Sequence, residues 1–508
     1  MRPVDPATSA SPGPPTPAPP SMAARAVHGS LWTAIRFAAE YGLRMVSNLI
    51  LTRLLVPEAF GLMALISVLM TGLAMFSDMG ISSSVVQSKR GDEPAYLNTA
   101  WTLQVIRGFV LWVFAALFAD AMAVGYARPE LRVLILAAGL TTIVAGFNSV
   151  GLLQLRRHLE VRRLAAIDVS GQLLTGLATV AWAWFWPSVW ALVWGGLFGA
   201  IAKLAISHWA TGSHRCRFAW EADARADLLG FGKWIFLSTI LFFLAGQADR
   251  LIFGRLLSVS TLGVFSIAAT LAAIPTQVVW QIGHSILFPA LSRRSHEPEG
   301  LRRVYLRSLR PLLVLGALPV ACLAAAGPAL VELLYDPRYE EAGWMLQILA
   351  VGAWFQIPQA SSGSAVLALG QPRALALSNG AKFVGLVVFL PLGYASFGVP
   401  GAIAGVAAAE LIRYVSLALA MRSAKLPGLA SDLAMTVVAA GLAAAGLLAD
   451  RAVGESGGGA GARLVVAVAA IAGLWLPISL FVLRAELPRL RELLAARRRR
   501  TGLSGVPS

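Results

Sequence analysis

What most restricts this chain is the recurrence of apolar stretches about as long as a bilayer is thick. A spanning helix needs roughly 20 mostly apolar residues. Fourteen such segments lie near 29–55, 59–84, 97–120, 130–154, 165–186, 188–210, 229–256, 260–288, 307–332, 342–369, 373–396, 399–421, 432–450 and 463–483. Only 13% of the 508 residues are charged and 57% are hydrophobic. That is half the charge density of a soluble domain, about 25%. An ordinary soluble enzyme is excluded, and so is disorder over most of the length. The expected fold is an all-α integral membrane protein.

Lys and Arg exceed Asp and Glu by 16. In a soluble protein such an excess points to nucleic acid; here no nucleic-acid partner is expected, and what matters is the side of the membrane on which the charge collects. With the N-terminus in the cytoplasm, 28 of the 42 Lys and Arg fall on the cytoplasmic side, seven on the opposite side and seven inside spans. The bias places both termini inside and requires an even number of spans. Trp182, Trp184, Trp186 and Trp190 gather at the outer end of the fifth and sixth spans, as an interfacial aromatic belt does.

The chain repeats itself. Shifted by 202 residues, Trp32 falls on Trp234, Leu49-Ile50 on Leu251-Ile252, Arg53-Leu54-Leu55 on Arg255-Leu256-Leu257, and Gly61 on Gly263. Six spans separate the copies, so they share one orientation, an arrangement that occurs in transporters with substrate sites between the halves. The organisation read from this is a Pro-rich cytoplasmic tail at 1–28, an N-lobe at 29–210, a linker at 211–228, a C-lobe at 229–421, two further spans at 432–483, and a basic tail at 484–508. The proline-rich start has no signal-peptide core; a misassigned start codon is the other explanation for it. No loop is long enough for a separate domain, so any chemistry belongs to the bundle. Cys216 and Cys322 make no disulfide framework or metal cluster, and no cofactor is expected.

Ionisable residues at mid-bilayer are costly and call for a reason. Arg36, Glu40 and Arg44 recur at i, i+4, i+8 on one face of the first span, and Asn48 continues the stripe. They line a wet cavity or form an internal ion-pair ladder; two cations against one anion favour the cavity. Arg107 and Lys382 lie at similar depth. Glu410 and Arg413, at i, i+3, could satisfy each other. Lys203 is near enough to the inner surface to snorkel. Asp249 and Arg250 suit a gate or an interfacial anchor, and Asp78 a helix-end contact, a gate or a proton site. The candidate cavity residues are thus Arg36, Arg44, Asn48, Arg107, Lys382 and Arg413. The gating or ion-coupling candidates are Glu40, Asp78, Asp249, Arg250 and Glu410. The positive balance suits an anionic cargo and suits a cationic drug poorly. Gly401 and Gly405 form a G-x-x-x-G pair that allows close helix packing.

No G-x-x-x-x-G-K-[ST], H-E-x-x-H or G-x-S-x-G occurs, which favours a carrier over a membrane enzyme. Several stretches carry a resemblance: Leu51 to Leu62 (L-T-R-L-L-V-P-E-A-F-G-L), Phe76 to Ile81 (F-S-D-M-G-I), Val86 to Arg90 (V-Q-S-K-R), Gln154 to Glu160 (Q-L-R-R-H-L-E) and Leu287 to Ser292 (L-F-P-A-L-S). Together they resemble the polysaccharide transporter family of lipid-linked oligosaccharide flippases, within the multidrug/oligosaccharidyl-lipid/polysaccharide exporter superfamily. The resemblance implies two six-helix lobes around a central cavity in a bacterial inner membrane. It implies translocation of undecaprenyl-pyrophosphate-linked oligosaccharide units, with Arg36 and Arg44, then Arg107 and Lys382, at positions to hold pyrophosphate or sugars. Partners would be the lipid-linked oligosaccharide, membrane lipids, a coupling H⁺ or Na⁺, and polymerase or assembly proteins. The alternatives are a peptidoglycan-precursor flippase, a drug/cation antiporter of the same superfamily, a membrane glycan polymerase or acyltransferase, and a non-transporting scaffold.

Overall fold

The computed structural model describes residues 22–77, 81–212, 216–224, 235–426 and 428–484. The basic C-terminal run, most of the Pro-rich tail, Asp78 and Trp234 lie outside the described residues. Those described are helical, with no strand among them. The first half consists of α1 (Met22–Leu54), α2 (Pro57–Phe76), the short α3 (Ile81–Gln87), α4 (Pro94–Gly125), α5 (Glu130–Gly146), α6 (Gly151–Arg157), α7 (Val161–Phe185) and α8 (Val189–Ala210). The second consists of α9 (Ile235–Leu256), α10 (Val259–Ile282), α11 (Phe288–Ser292), α12 (Pro298–Leu334), α13 (Ala342–Ala368) and α14 (Pro372–Ser423); α15 (Leu429–Glu455) and α16 (Ala460–Leu483) follow. Helix α1 begins at Met22, ahead of the start expected at 29.

Nine of the described helices are long and apolar enough to cross a membrane, and the bent pair α5–α6 adds a tenth. One of the nine, the 52-residue α14, is two rods folded back at Gly398 (φ 65, ψ −145), a conformation open essentially to glycine. The remaining long helices are more polar: α1 carries its charged stripe, α9 carries Gln247, Asp249 and Arg250, and α13 carries Gln347, Gln356 and Gln359. With α14 counted as two rods, each of the fourteen expected segments is met by a helix.

Starts and breaks follow from local chemistry. Pro57, Pro94, Pro298 and Pro372 open their helices, where the missing N–H costs nothing. Ser258 caps α10 by accepting the Thr261 N–H at 3.0 Å. Between α10 and α11, Gly283–Leu287 widens into a π-turn closed by the Phe288 N–H on the Gly283 carbonyl. Pro289 lies just beyond, and a proline lacks the N–H and crowds the carbonyl four residues earlier. In the first half α5 and α6 meet at 64°. The Gln104 amide donates to the carbonyls of Gly146 (3.1 Å) and Asn148 (3.3 Å) that the bend leaves over.

The halves meet where the repeat is clearest. A Cβ on Gly61 would collide with the Val259 carbonyl oxygen, and one on Gly263 with the Pro57 carbonyl oxygen. Under the 202-residue shift these are one contact made twice. Beside it the Tyr339 hydroxyl donates to the Leu55 carbonyl (3.0 Å) and Arg338 to the Arg53 carbonyl (3.1 Å), taking up carbonyls from the last turn of α1. A single buried cluster runs through this seam, from Leu55, Leu65 and Ile66 to Leu262, Phe265 and Leu346. Helix α2 packs along both α9 and α10. The symmetry-related passage between α1 and α10 instead holds a cavity.

Two of the motif stretches also meet. Arg157 of Q-L-R-R-H-L-E donates to the carbonyls of Val85 (3.0 Å), Val86 (3.0 Å) and Ser88 (2.6 Å), and to the Asp92 carboxylate (2.8 Å). It thereby closes the C-terminal end of α3, formed by the stretch that leads into V-Q-S-K-R. Helices α15 and α16 pack on α12, and Arg463 of α16 reaches Asp450 (2.9 Å) and Glu332 (3.4 Å).

Candidate functional site

Four adjoining cavities thread the space within and between the halves. The central one, about 500 Å³, lies between α1 and α10 and is lined by Arg44, Asn48, Gln172, Thr175, Arg250 and Gln277. It shares Arg44, Gln172 and Thr175 with a cavity of about 330 Å³ in the first half, where Arg36, Glu40, Asp168 and Lys203 meet. That cavity shares Arg156 and Lys203 with another of about 340 Å³ that includes Gln104 and Arg107. In the other direction Arg250 and Gln277 lead to one of about 490 Å³ lined by Asp249, Trp280, Asn379, Lys382, Glu410 and Arg413.

Helical spacing builds the first-half site. The α1 stripe faces a second polar stripe on α7, where Asp168, Gln172, Thr175 and Thr179 recur at i, i+4, i+7, i+11. Rung by rung, Arg36 Nη1 donates to Asp168 Oδ2 (2.7 Å) and Arg44 Nε to Gln172 Oε1 (3.3 Å). The second Asp168 oxygen accepts from Lys203 Nζ of α8 (2.7 Å). Glu40 is only loosely paired, 3.9 Å from Arg36. Arg36 Nε is buried without a hydrogen-bond partner. Lys203 is therefore tied to an acid inside the bundle, and the snorkelling expected of it is not what holds it.

The second-half site is drier. Glu410 is 3.8 Å from Arg413 but 2.5 Å from Lys382. Its principal partner is the lysine on the preceding rod, not the arginine one turn on. The Arg413 guanidinium also lies 5.8 Å over the Trp280 ring. Arg250 donates from Nη1 to Gln247 Oε1 (3.0 Å), and Asp249 accepts the Arg250 backbone N–H (2.9 Å). Arg107 ties α4 to the end of α2 through the Ser77 hydroxyl and the Ala74 carbonyl, both at 2.9 Å.

The expected residues thus sort by partner. Arg36, Lys382 and Arg413 are in ion pairs with acids. Among the described residues, Arg44 and Arg250 are in no ion pair, and both line the central cavity. Asn48 lies on its wall, and Asp78 is outside the described residues. Sequence reasoning missed Asp168, Gln172 and Trp280. The α7 stripe was the available signal for the first two. Trp182, Trp186, Trp190 and Trp194 cluster with ring centroids 5.9–6.3 Å apart along that chain of contacts.

This architecture and sequence have counterparts. Residues 50–343 match the family model described as "Polysaccharide biosynthesis protein". The chain is 25% identical over 332 residues to the lipopolysaccharide biosynthesis protein WzxC of Escherichia coli K12, covering 65% of this chain and 67% of that one. It is 25% identical over 329 residues to the succinoglycan biosynthesis transport protein ExoT of Rhizobium meliloti, covering 64% and 66%. The teichuronic acid biosynthesis protein TuaB of Bacillus subtilis is 22% identical over 297 residues, 58% of this chain and 61% of that one. The chain therefore spans about two thirds of the length of these relatives. Among solved structures, the lipid II flippase MurJ in an inward closed conformation superposes with a TM-score of 0.72 at 10% identity, over 91% of this chain and 100% of that one. An inward-facing multidrug resistance MATE transporter gives 0.60 at 15%, over 79% and 99%. These two likenesses establish a shared fold. The match to the family model, over more than half of the sequence, establishes kinship: the chain belongs to the polysaccharide biosynthesis protein family.

Proposed function

We propose that the protein is a flippase, not an enzyme, that carries undecaprenyl-pyrophosphate-linked oligosaccharide units across the bacterial inner membrane for surface-polysaccharide synthesis. Membership of the polysaccharide biosynthesis family, a relative named for lipopolysaccharide biosynthesis and another named for succinoglycan biosynthesis transport support this reading. The observation that carries it is the run of joined cavities whose central member presents Arg44 and Arg250, neither held by an acid among the described residues. A cation with no internal counter-charge in a low-dielectric cavity invites an anion. Pyrophosphate and acidic sugars fit; a cationic drug does not.

With both termini cytoplasmic, the face bearing the 155–164 and 289–310 loops is the loading side. Pyrophosphate would bind along the Arg36–Arg44 stripe, the glycan would extend toward Arg250 and Lys382, and the prenyl chain would remain in lipid at the passage between α1 and α10. Glu40 and Asp249, the loosely paired acids on these cavities, are the candidates to bind a coupling ion. Glu410 is committed to its two cations.

The test is deletion of the gene with measurement of lipid-linked intermediates and surface polymer, followed by complementation with Arg44→Ala. Intermediates trapped in the cytoplasmic leaflet, surface polymer lost, and restoration by wild type but not by the variant are the expected results. Intermediates that reach the periplasm but stay unpolymerised would transfer the assignment to a polymerase. Lethality with arrested peptidoglycan would point to a peptidoglycan precursor as cargo.

A further inference from the structure

The cluster around Asp168 contains more than a binding site needs. Arg36, Arg44, Arg156 and Lys203 line one cavity with Glu40 and Asp168. Four cations against two acids leave a balance of +2. A lipid-linked pyrophosphate carries about two negative charges at neutral pH as a sugar diester and about three as the free monoester, so the balance of +2 with Asp168 present comes close to either. Asp168 also occupies the two cations geometrically. Each carboxylate oxygen takes one 2.7 Å charge-assisted bond, one from Arg36 and one from Lys203. Arg36 Nε–H meanwhile makes no hydrogen bond; the nearest acid is Glu40 at 3.9 Å, so the donor is unspent when Asp168 lets go. These three groups come from α7, α1 and α8, so no strained loop or terminal charge fixes the arrangement.

We propose that Asp168 is an internal counter-ion that stands in for the pyrophosphate: it holds Arg36 and Lys203 when the seat is empty, yields them on loading, and retakes them on release. It is a positioning residue, acting through the two cations. The inference rests on the flippase reading above. Its physical basis is competition. An anion held by every cation of the seat would be bound tightly and let go slowly, and an empty seat without Asp168 would leave three net positive charges in a half-dry cavity. A carboxylate that competes for the same donors lowers affinity for the load, so that binding and release both stay within reach.

The experiment uses the full chain in phospholipid nanodiscs with undecaprenyl pyrophosphate as the probe. Affinity is read by native mass spectrometry and export by surface polymer in the complemented deletion strain. Asp168→Asn keeps the shape and removes the charge; it should bind the probe about tenfold more tightly while exporting less. Asp168→Glu should bind as wild type does. A merely structural role predicts the opposite, weaker binding by the Asn variant. Binding by Asp168→Asn equal to or weaker than wild type, with Arg36→Ala weakened, would overturn the counter-ion role and leave the seat standing. If Arg36→Ala and Arg44→Ala also bind the probe as wild type does, the seat itself is wrong. Should Asp168→Asn fail to accumulate, the wild type carries the test. Undecaprenyl pyrophosphate should raise the modification of Asp168 by dicyclohexylcarbodiimide, because it draws the cations away. Unchanged or reduced modification would overturn the proposal.

Discussion

Two polar clusters bridge the corresponding pair of helices in each half, and they are built with opposite signs. In the first half α7 supplies the acid, Asp168, and α8 the lysine, Lys203. In the second, the first rod of α14 supplies the lysine, Lys382, and the second rod the acid, Glu410. The repeat therefore retains a charge bridge between these neighbouring helices without retaining which helix carries which charge. Their surroundings differ more. Side-chain exposures are 30%, 12% and 39% for Arg36, Asp168 and Lys203, against 12%, 3% and 8% for Lys382, Glu410 and Arg413. The first cluster is open enough for the partner exchange proposed above. The second borders a cavity too, but its side chains are far less exposed and its charges are held mainly by one another.

The sharpest way to break that contrast is to remove the acid from the dry cluster. Glu410→Ala strands Lys382 and Arg413 and should cost about 3–5 kcal/mol, seen as poor membrane accumulation and a lowered thermal midpoint after purification. Replacing Lys382, Glu410 and Arg413 together with Met, Gln and Met should recover much of that loss. An unchanged midpoint in Glu410→Ala would remove the structural role of the second cluster.

Arg157→Ala addresses a device of the first half. It frees three carbonyls at the end of α3, and about 1–3 kcal/mol should be lost, with faster proteolysis near residues 85–92 as the readout. Asp168→Asn, in the wet cluster, should move the thermal midpoint far less than Glu410→Ala does, by about 1 kcal/mol or less. A loss as large as that from Glu410→Ala would erase the distinction between the clusters. Arg44→Ala should leave stability within about 0.5 kcal/mol and still abolish export, which separates the cavity cations from the packing ones.

A modest, pH-dependent effect concerns Asp92, outside the spans. Partial burial raises its pKa, but the hydrogen bonds and charges of Arg157 and His158 outweigh this and hold it below the ordinary carboxylate value. Its contribution to stability is therefore complete above the unfolded value, about 3.9. It is lost as pH falls through the lowered folded value. Asp92→Asn should be destabilised at neutral pH by less than about 1 kcal/mol, and the gap to wild type should close on acidification below about pH 4 in a pH-resolved melting series.

Much of this was legible in the sequence because lipid imposes a simple grammar. Apolar length gave the helices, the offset of 202 residues gave the repeat, and the i, i+4, i+8 charges on α1 marked the polar face. Asp168 was hidden because it stands close after the basic 155–164 loop, where an acid reads as a surface residue. Only the packing of α1 on α7 turns it inward. Lys203 was misread for the same reason, since depth along a helix does not reveal what stands across from it. For Glu410, the neighbour in sequence, Arg413, concealed the closer one on the preceding rod. One-dimensional spacing finds partners on the same helix; partners on different helices require the bundle.

The reciprocal contact of Gly61 with Val259 and of Gly263 with Pro57 has a mechanical meaning. Backbone lies against backbone there, with the Val259 side chain beside the contact and the buried apolar cluster around it. A junction of that kind resists separation through close approach, and a tilt of one half on the other would turn about it. The contact sits at the start of α2, whose 20 residues extend about 30 Å at ~1.5 Å per residue, so a tilt of about 20° there would swing the far end by about 10 Å. That is the breadth of a sugar ring with its hydration, and on the flippase reading proposed above it would widen the loading mouth about a pivot that itself hardly moves.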